Sequence, residues 1–87
     1  MVNMFEWDES KSKKNKAERG QGFEEAERLF NGPFKQRDVD VNGEARTIIY
    51  GYLDGLEWIG VFAFERTPPR VISLRRANKR ERTKHYG

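Results

Sequence analysis

Arg46-Thr47-Ile48-Ile49-Tyr50-Gly51-Tyr52-Leu53-Asp54-Gly55-Leu56-Glu57-Trp58-Ile59-Gly60-Val61-Phe62-Ala63-Phe64-Glu65 is the stretch that decides the fold. Arg46 to Leu53 is rich in β-branched and aromatic residues, which fit a pleated, half-buried surface. Asp54-Gly55 is a two-residue turn signal, because both central positions of a type I′ turn need positive φ. Leu56 to Glu65 then reads as the most hydrophobic strand, with Trp58, Phe62 and Phe64 on one side and Ile59, Val61 and Ala63 on the other. A strand apolar on both sides lies at the centre of a sheet, covered above and below. Trp58, Phe62 and Phe64 therefore read as core.

Outward from this hairpin, Asn42-Gly43 is a second turn of the same kind. Phe34 to Val41 before it is polar and charged, suited to a sheet edge where Lys and Asp discourage aggregation. On the other side, Pro68-Pro69 stops the central strand and Arg70 to Arg75 predicts a last strand. Strict alternation puts Arg70, Ile72, Leu74 and Arg76 on one side of it. Asn78 followed by Glu81 resembles a capping box and opens a short terminal helix.

The N-terminal third is helical after a short β-like stretch, Met4-Phe5-Glu6-Trp7. Asp8 reads as an N-cap and Gly20 as the residue past the helix end. The helix between them is very polar and has no clear apolar stripe, so it depends on docking. A second helix places Phe23, Ala26, Leu29 and Phe30 on one face and ends at Asn31-Gly32-Pro33. The fold class is α+β: one domain, 1–87, an antiparallel meander with the helices packed on one face, two N-terminal and one short and C-terminal.

With no cysteine, neither disulfides nor thiolate metal sites are available. The longest apolar run, Trp58 to Phe64, is too short to span a bilayer, and Glu6, Asp8 and Glu9 do not suit a signal peptide. The expectation is a cytoplasmic protein with no membrane contact. The formal net charge of +3 is unevenly spread. From Arg66 onward eight basic residues face one acid, Glu81, a net +7 that leaves −4 for the rest. Such a block suits a polyanion or an acidic protein surface; its plainer reading is a solvated tail.

Phe5-Glu6-Trp7-Asp8, Lys11, Asn15, Gly20 and Phe23-Glu24-Glu25-Ala26 form one ordered set of residues. Phe64-Glu65-Arg66, Arg70-Val71-Ile72-Ser73, Arg75-Arg76-Ala77, Arg80-Glu81-Arg82 and Tyr86 continue it. In that order they resemble the BrnT family of toxins across nearly the whole chain. The resemblance implies a RelE-like fold, endoribonuclease activity, growth arrest, an RNA substrate, and neutralisation by a BrnA-type antitoxin that also represses the operon. The chain departs from the family at Glu18-Arg19, where Lys-His is usual. It departs again at Gly22, where a Ser or Thr N-cap is usual and whose replacement by Gly costs a few tenths of a kcal/mol.

Metal-free RNA cleavage needs a base for the 2′-hydroxyl, cations for the phosphorane and an acid for the leaving 5′-oxygen. The chain has no His/Asp/Glu cluster with metal-ligand spacing and one histidine, so no metal and no cofactor is expected. Glu65 is the candidate base; its plainer reading is a surface carboxylate paired with Arg66 or Arg70. Arg70 is the leading cation, with Arg76 sharing its side of the strand, because a guanidinium fork matches phosphate oxygens. The acid is His85, by intrinsic pKa, or Tyr86, by the family position. Trp7, Lys11, Arg75, Arg80 and Arg82 are candidates for RNA contact. Against this, Trp7 also fits the core, and Lys11 and Arg75 also fit solvated faces. The last strand and helix, with Arg75, Arg76, Arg80 and Arg82, also suit an acidic or amphipathic antitoxin segment. A dimer within that complex would use the apolar strand faces. The competing reading is a basic module that binds nucleic acid or antitoxin without chemistry.

Overall fold

A computed structural model describes residues 4–86. Helix α1 (Glu9–Arg19) is followed by a 3₁₀ helix (Phe23–Asn31), strands β1 (Lys35–Val41), β2 (Glu44–Leu53), β3 (Leu56–Ala63) and β4 (Arg70–Arg76), and helix α2 (Lys79–His85). The strands form one antiparallel meander in chain order, β1-β2-β3-β4. Both tight turns have positive φ at their central pairs: Asn42 and Gly43, Asp54 and Gly55. Among the described residues no helix is long and apolar enough to cross a membrane.

The 3₁₀ helix seals one face of the sheet. Its buried residues, Phe23, Ala26 and Leu29, recur every third position, and three residues per turn is the 3₁₀ repeat rather than the α repeat. Spacing that reads as an amphipathic α-helix therefore closes more tightly here. The helix packs its face on Ile49, Leu53, Trp58, Phe62, Val71 and Leu74. Leu29 comes so near the strands that a Cβ on Gly60 would lie 2.8 Å from its Cδ1, and one on Gly51 3.2 Å from its carbonyl oxygen. Those two glycines make the close approach possible.

Helix α1 docks through polar contacts, which explains how it persists without an apolar stripe. Ser12, 2% exposed, accepts a hydrogen bond from the Phe23 N–H at 2.8 Å and donates to the Glu24 carboxylate at 3.0 Å. Asn15 donates to the Gln21 carbonyl at 2.7 Å. Ser12 thus supplies, from another helix, a cap that Gly22 lacks. Asp8 caps α1 through the Lys11 N–H, and Gly20 ends it at φ 88°.

The structure differs from the sequence reading in several particulars. The Met4–Trp7 stretch makes a single parallel bridge to β4, with the Glu6 N–H on the Pro69 carbonyl and the Val71 N–H on the Glu6 carbonyl, both at 2.9 Å. β3 ends at Ala63, so Phe64 lies past the ladder and is 40% exposed, stacked on Phe62 rather than buried. α2 does not join the other helices on their face. It crosses the opposite one, where Tyr50, Ile59 and Ala77 form a second small core with Ile48 and Tyr86 against it. Trp58, Ile59, Phe62 and Ala63 are buried within the chain, so β3 leaves little apolar strand face for the dimer contact expected there.

Candidate active site

A break in the β3–β4 ladder decides which arginines share a face. Trp58, Ile59 and Gly60 pair with Arg76, Arg75 and Leu74, but Phe62 and Ala63 pair with Val71 and Arg70, the register shifting between Val61 and Phe62. Residues directly opposite in a ladder point the same way. An extra residue on one strand therefore inverts the alternation beyond it. Val71 and Leu74 both turn to the core, and Arg70 falls on the same face as Arg75, opposite to Arg76. Strict alternation had joined Arg70 with Arg76; the bulge separates them.

The face shared by Arg70 and Arg75 is the one α2 crosses, and the rest of the ladder fills it with cations. Across the sheet, Lys35 pairs with Tyr50 and Tyr50 with Ile59, which pairs with Arg75. Arg37 pairs with Ile48 one row along. Extending the β2–β3 register by one residue sets Arg46 and Arg70 on either side of Ala63. Lys35 and Arg37 are exposed on the edge strand, and Arg46 and Arg70 are partly buried. Arg46 is ion-paired with Glu44 at 2.8 Å and Arg70 with Glu6 at 3.3 Å, whereas Lys35 and Arg37 form no ion pair among the described residues, so those two cations favour an anionic ligand.

α2 sets an imidazole over this face. The Asn78–Glu81 capping box is complete, with Asn78 accepting from the Glu81 N–H and Glu81 accepting from the Asn78 N–H, both at 2.9 Å. The Glu81 carboxylate also takes a two-pronged ion pair from Arg75 at 2.7 and 2.6 Å. That contact, more than any other, holds its pKa down at about 2. Past this anchor, the His85 ring stacks on Tyr50, centroids 3.9 Å apart at 21°. Among the described residues the His85 ring makes no side-chain hydrogen bond, so its nitrogens are open to a ligand. Burial, then Lys84 and Arg37, lower its pKa below the ordinary 6.5. That direction favours the neutral, proton-accepting ring.

The remaining candidates are scattered. Tyr86 donates its hydroxyl to the Trp58 carbonyl at 2.7 Å, and burial, with Tyr52 and Glu57 nearby, raises its pKa. Glu65 is exposed in the turn after β3, beside Arg46 and Arg66 in a shallow recess. Neither ion pair considered for it forms: Arg66 and Arg70 both turn to Glu6, at 3.5 and 3.3 Å. The Arg46–Ala63–Arg70 row lies four residues from the Tyr50–Ile59 row, about 13 Å at ~3.3 Å per residue, so the chain does not bring Glu65 and His85 together. Arg76 lies on the opposite face, 5.9 Å from the Trp58 ring. Trp7 packs against the core and donates to Glu9 at 3.1 Å. Lys11 is exposed on α1, Arg80 is exposed on α2, and Arg82 donates to the Ala77 carbonyl at 3.0 Å.

Sequence reasoning missed Lys35, Arg37, Arg46 and Tyr50, although a signal was present. The Asn42-Gly43 turn pairs Val41 with Glu44, and counting outward puts 39 with 46, 37 with 48 and 35 with 50. With period two, that register alone aligns Lys35, Arg37, Arg46 and Tyr50 on one face. No curated protein and no solved structure matches the chain. A family model does match, over residues 7–81, and by that match the chain belongs to the BrnT ribonuclease toxins of type II toxin–antitoxin systems.

Proposed function

We propose that this toxin cuts RNA on the basic sheet face without a metal ion, using His85 as the proton-accepting base. One observation carries the reading: an imidazole with lowered pKa is stacked on Tyr50, within the field of Lys35 and Arg37. His85 takes the proton of a 2′-hydroxyl, and the 2′-oxygen attacks the adjacent phosphorus. The bond from phosphorus to the 5′-oxygen breaks, and that oxygen takes a proton from solvent or from the Lys35 ammonium. The products are a 2′,3′-cyclic phosphate and a 5′-hydroxyl. Arg37, one row along from Tyr50, meets the charge building on the phosphorane, while Arg46 and Arg70 exchange Glu44 and Glu6 for phosphates further along the strand. His85 thus serves as base rather than as the acid its intrinsic pKa first recommends, and Tyr86 serves as a fixed wall.

Within a RelE-like reading, RNA cleavage arrests growth, and a BrnA-like antitoxin covers the sheet face and α2. Support comes from the exposed cations Lys35, Arg37 and Arg80, which an acidic segment would neutralise. The test is single-turnover cleavage in EDTA with analysis of the product ends. Wild type should leave cyclic phosphates, at a rate that falls as acid protonates His85. His85→Gln should lose at least a hundredfold in rate and lose that acid limb. Unchanged cleavage by folded His85→Gln would remove the imidazole from the chemistry. RNA binding without any cleavage would instead support the basic binding module.

A further inference from the structure

A recess of about 300 Å³ opens beside His85, lined by Phe34, Lys35, Tyr52, His85 and Tyr86 over Tyr50. Ligand pockets run from roughly 300 to 1,000 Å³, so this one takes a single small planar group rather than a large molecule. Its walls are held in place. Tyr86 is tied to the Trp58 carbonyl and meets the Tyr52 ring edge-on, centroids 5.4 Å apart at 81°. Phe34 meets Phe30 the same way, at 5.2 Å and 83°. Yet Tyr52, on the face that carries the cations, is 38% exposed, and Phe34, which borders the recess from the segment before β1, is 40% exposed, so two aromatic rings keep open surface at the recess.

We propose that this recess is a nucleobase subsite, in which Phe34 and Tyr52 receive one unstacked base of single-stranded RNA next to the phosphate held at Lys35 and Arg37. The proposal rests on the reading of His85 as base, which puts the scissile phosphate beside the recess, but its binding component can be measured separately. Fixed aromatic rings beside a basic strand are what a single strand needs: the rings stack on the base and the cations track the backbone. A duplex cannot present a base this way, so the substrate is single-stranded at the cut. An acidic antitoxin segment fits the cations but has no particular use for a flat slot.

The test uses the full chain and a short single-stranded oligodeoxynucleotide, which lacks the 2′-hydroxyl and cannot be cut, alongside the same oligonucleotide with abasic sugars. Wild type should bind the intact strand on the order of tenfold more tightly than the abasic one, the loss of one stacked base. Tyr52→Ala and Phe34→Ala should each bind the two alike, while Tyr52→Phe keeps the preference. Equal affinity of wild type for the intact and abasic strands overturns the proposal. So does a Tyr52→Ala protein that keeps the preference. Failure of the catalytic reading looks different: His85→Gln would cleave normally while the preference for the intact strand survives in wild type.

Discussion

Glu81 joins the fold to the chemistry, because its carboxylate both closes the α2 capping box and pins Arg75. Its pKa is held near 2, against an ordinary 4.5, first by the Arg75 hydrogen bond. That depression sets a ceiling of about 3 kcal/mol on what the contact contributes. Arg75 is 42% exposed, so solvent screening reduces it to about 1–2 kcal/mol. The reciprocal cap adds about 1 kcal/mol. α2 has seven residues, none of them buried, and so short a helix does not hold without docking. Glu81→Ala should therefore undock α2, cut cleavage severely and leave the core intact. Glu81→Gln keeps the cap and should lose only the ion-pair share. Because the folded pKa is depressed, this stabilisation is complete above about pH 4.5 and is lost as pH falls toward 2. Wild-type α2 should loosen across that window, and Glu81→Ala should show no such transition. Amide exchange across Arg82–Tyr86, the NMR shift of the His85 ring and single-turnover cleavage measure the three effects. An α2 as protected in Glu81→Ala as in wild type would refute the argument, as would full cleavage with α2 undocked.

Other expectations follow from the same geometry. Arg70→Ala should lower kcat/KM about tenfold to a hundredfold through weaker RNA binding and relieve growth arrest in an expression assay, with the far-UV CD spectrum unchanged. Glu65→Gln should cleave at the wild-type rate at saturating RNA and bind RNA slightly more tightly, since it removes a negative charge that lies past the Ala63 end of β3, away from the Tyr50–His85 stack; a large drop in rate would restore Glu65 as base. Gly60→Ala sets a Cβ 2.8 Å from both Leu29 and Phe62, so it should cost about 1–3 kcal/mol and lower Tm by at least ~4 °C in a thermal melt.

Local signals carry short distances, and what they govern was legible in the chain. Asn42-Gly43 and Asp54-Gly55 dictate positive φ whatever surrounds them, and the apolar run from Leu56 onward has no stable place except the centre of a sheet. Asp8, Gly20 and the Asn78–Glu81 box mark helix ends through hydrogen bonds that span three or four residues. The decisive features of the candidate site depend on longer distances. A bulge is forced by how β4 settles on the core, and that one inserted residue moves Arg70 away from Arg76 and toward Arg75. Ser12 caps the 3₁₀ helix from eleven residues away, and Glu6 captures Arg70 from sixty-four. His85 meets Tyr50 only because Glu81 and Arg75 fasten α2 across the face opposite to the other helices. Composition and periodicity determine most of the core and where the turns fall, whereas the end of β3 at Ala63 and the exposure of Phe64 depend on the ladder. Which charges share a face depends on register and packing across the whole sheet, and a one-residue slip there reverses every side chain beyond it.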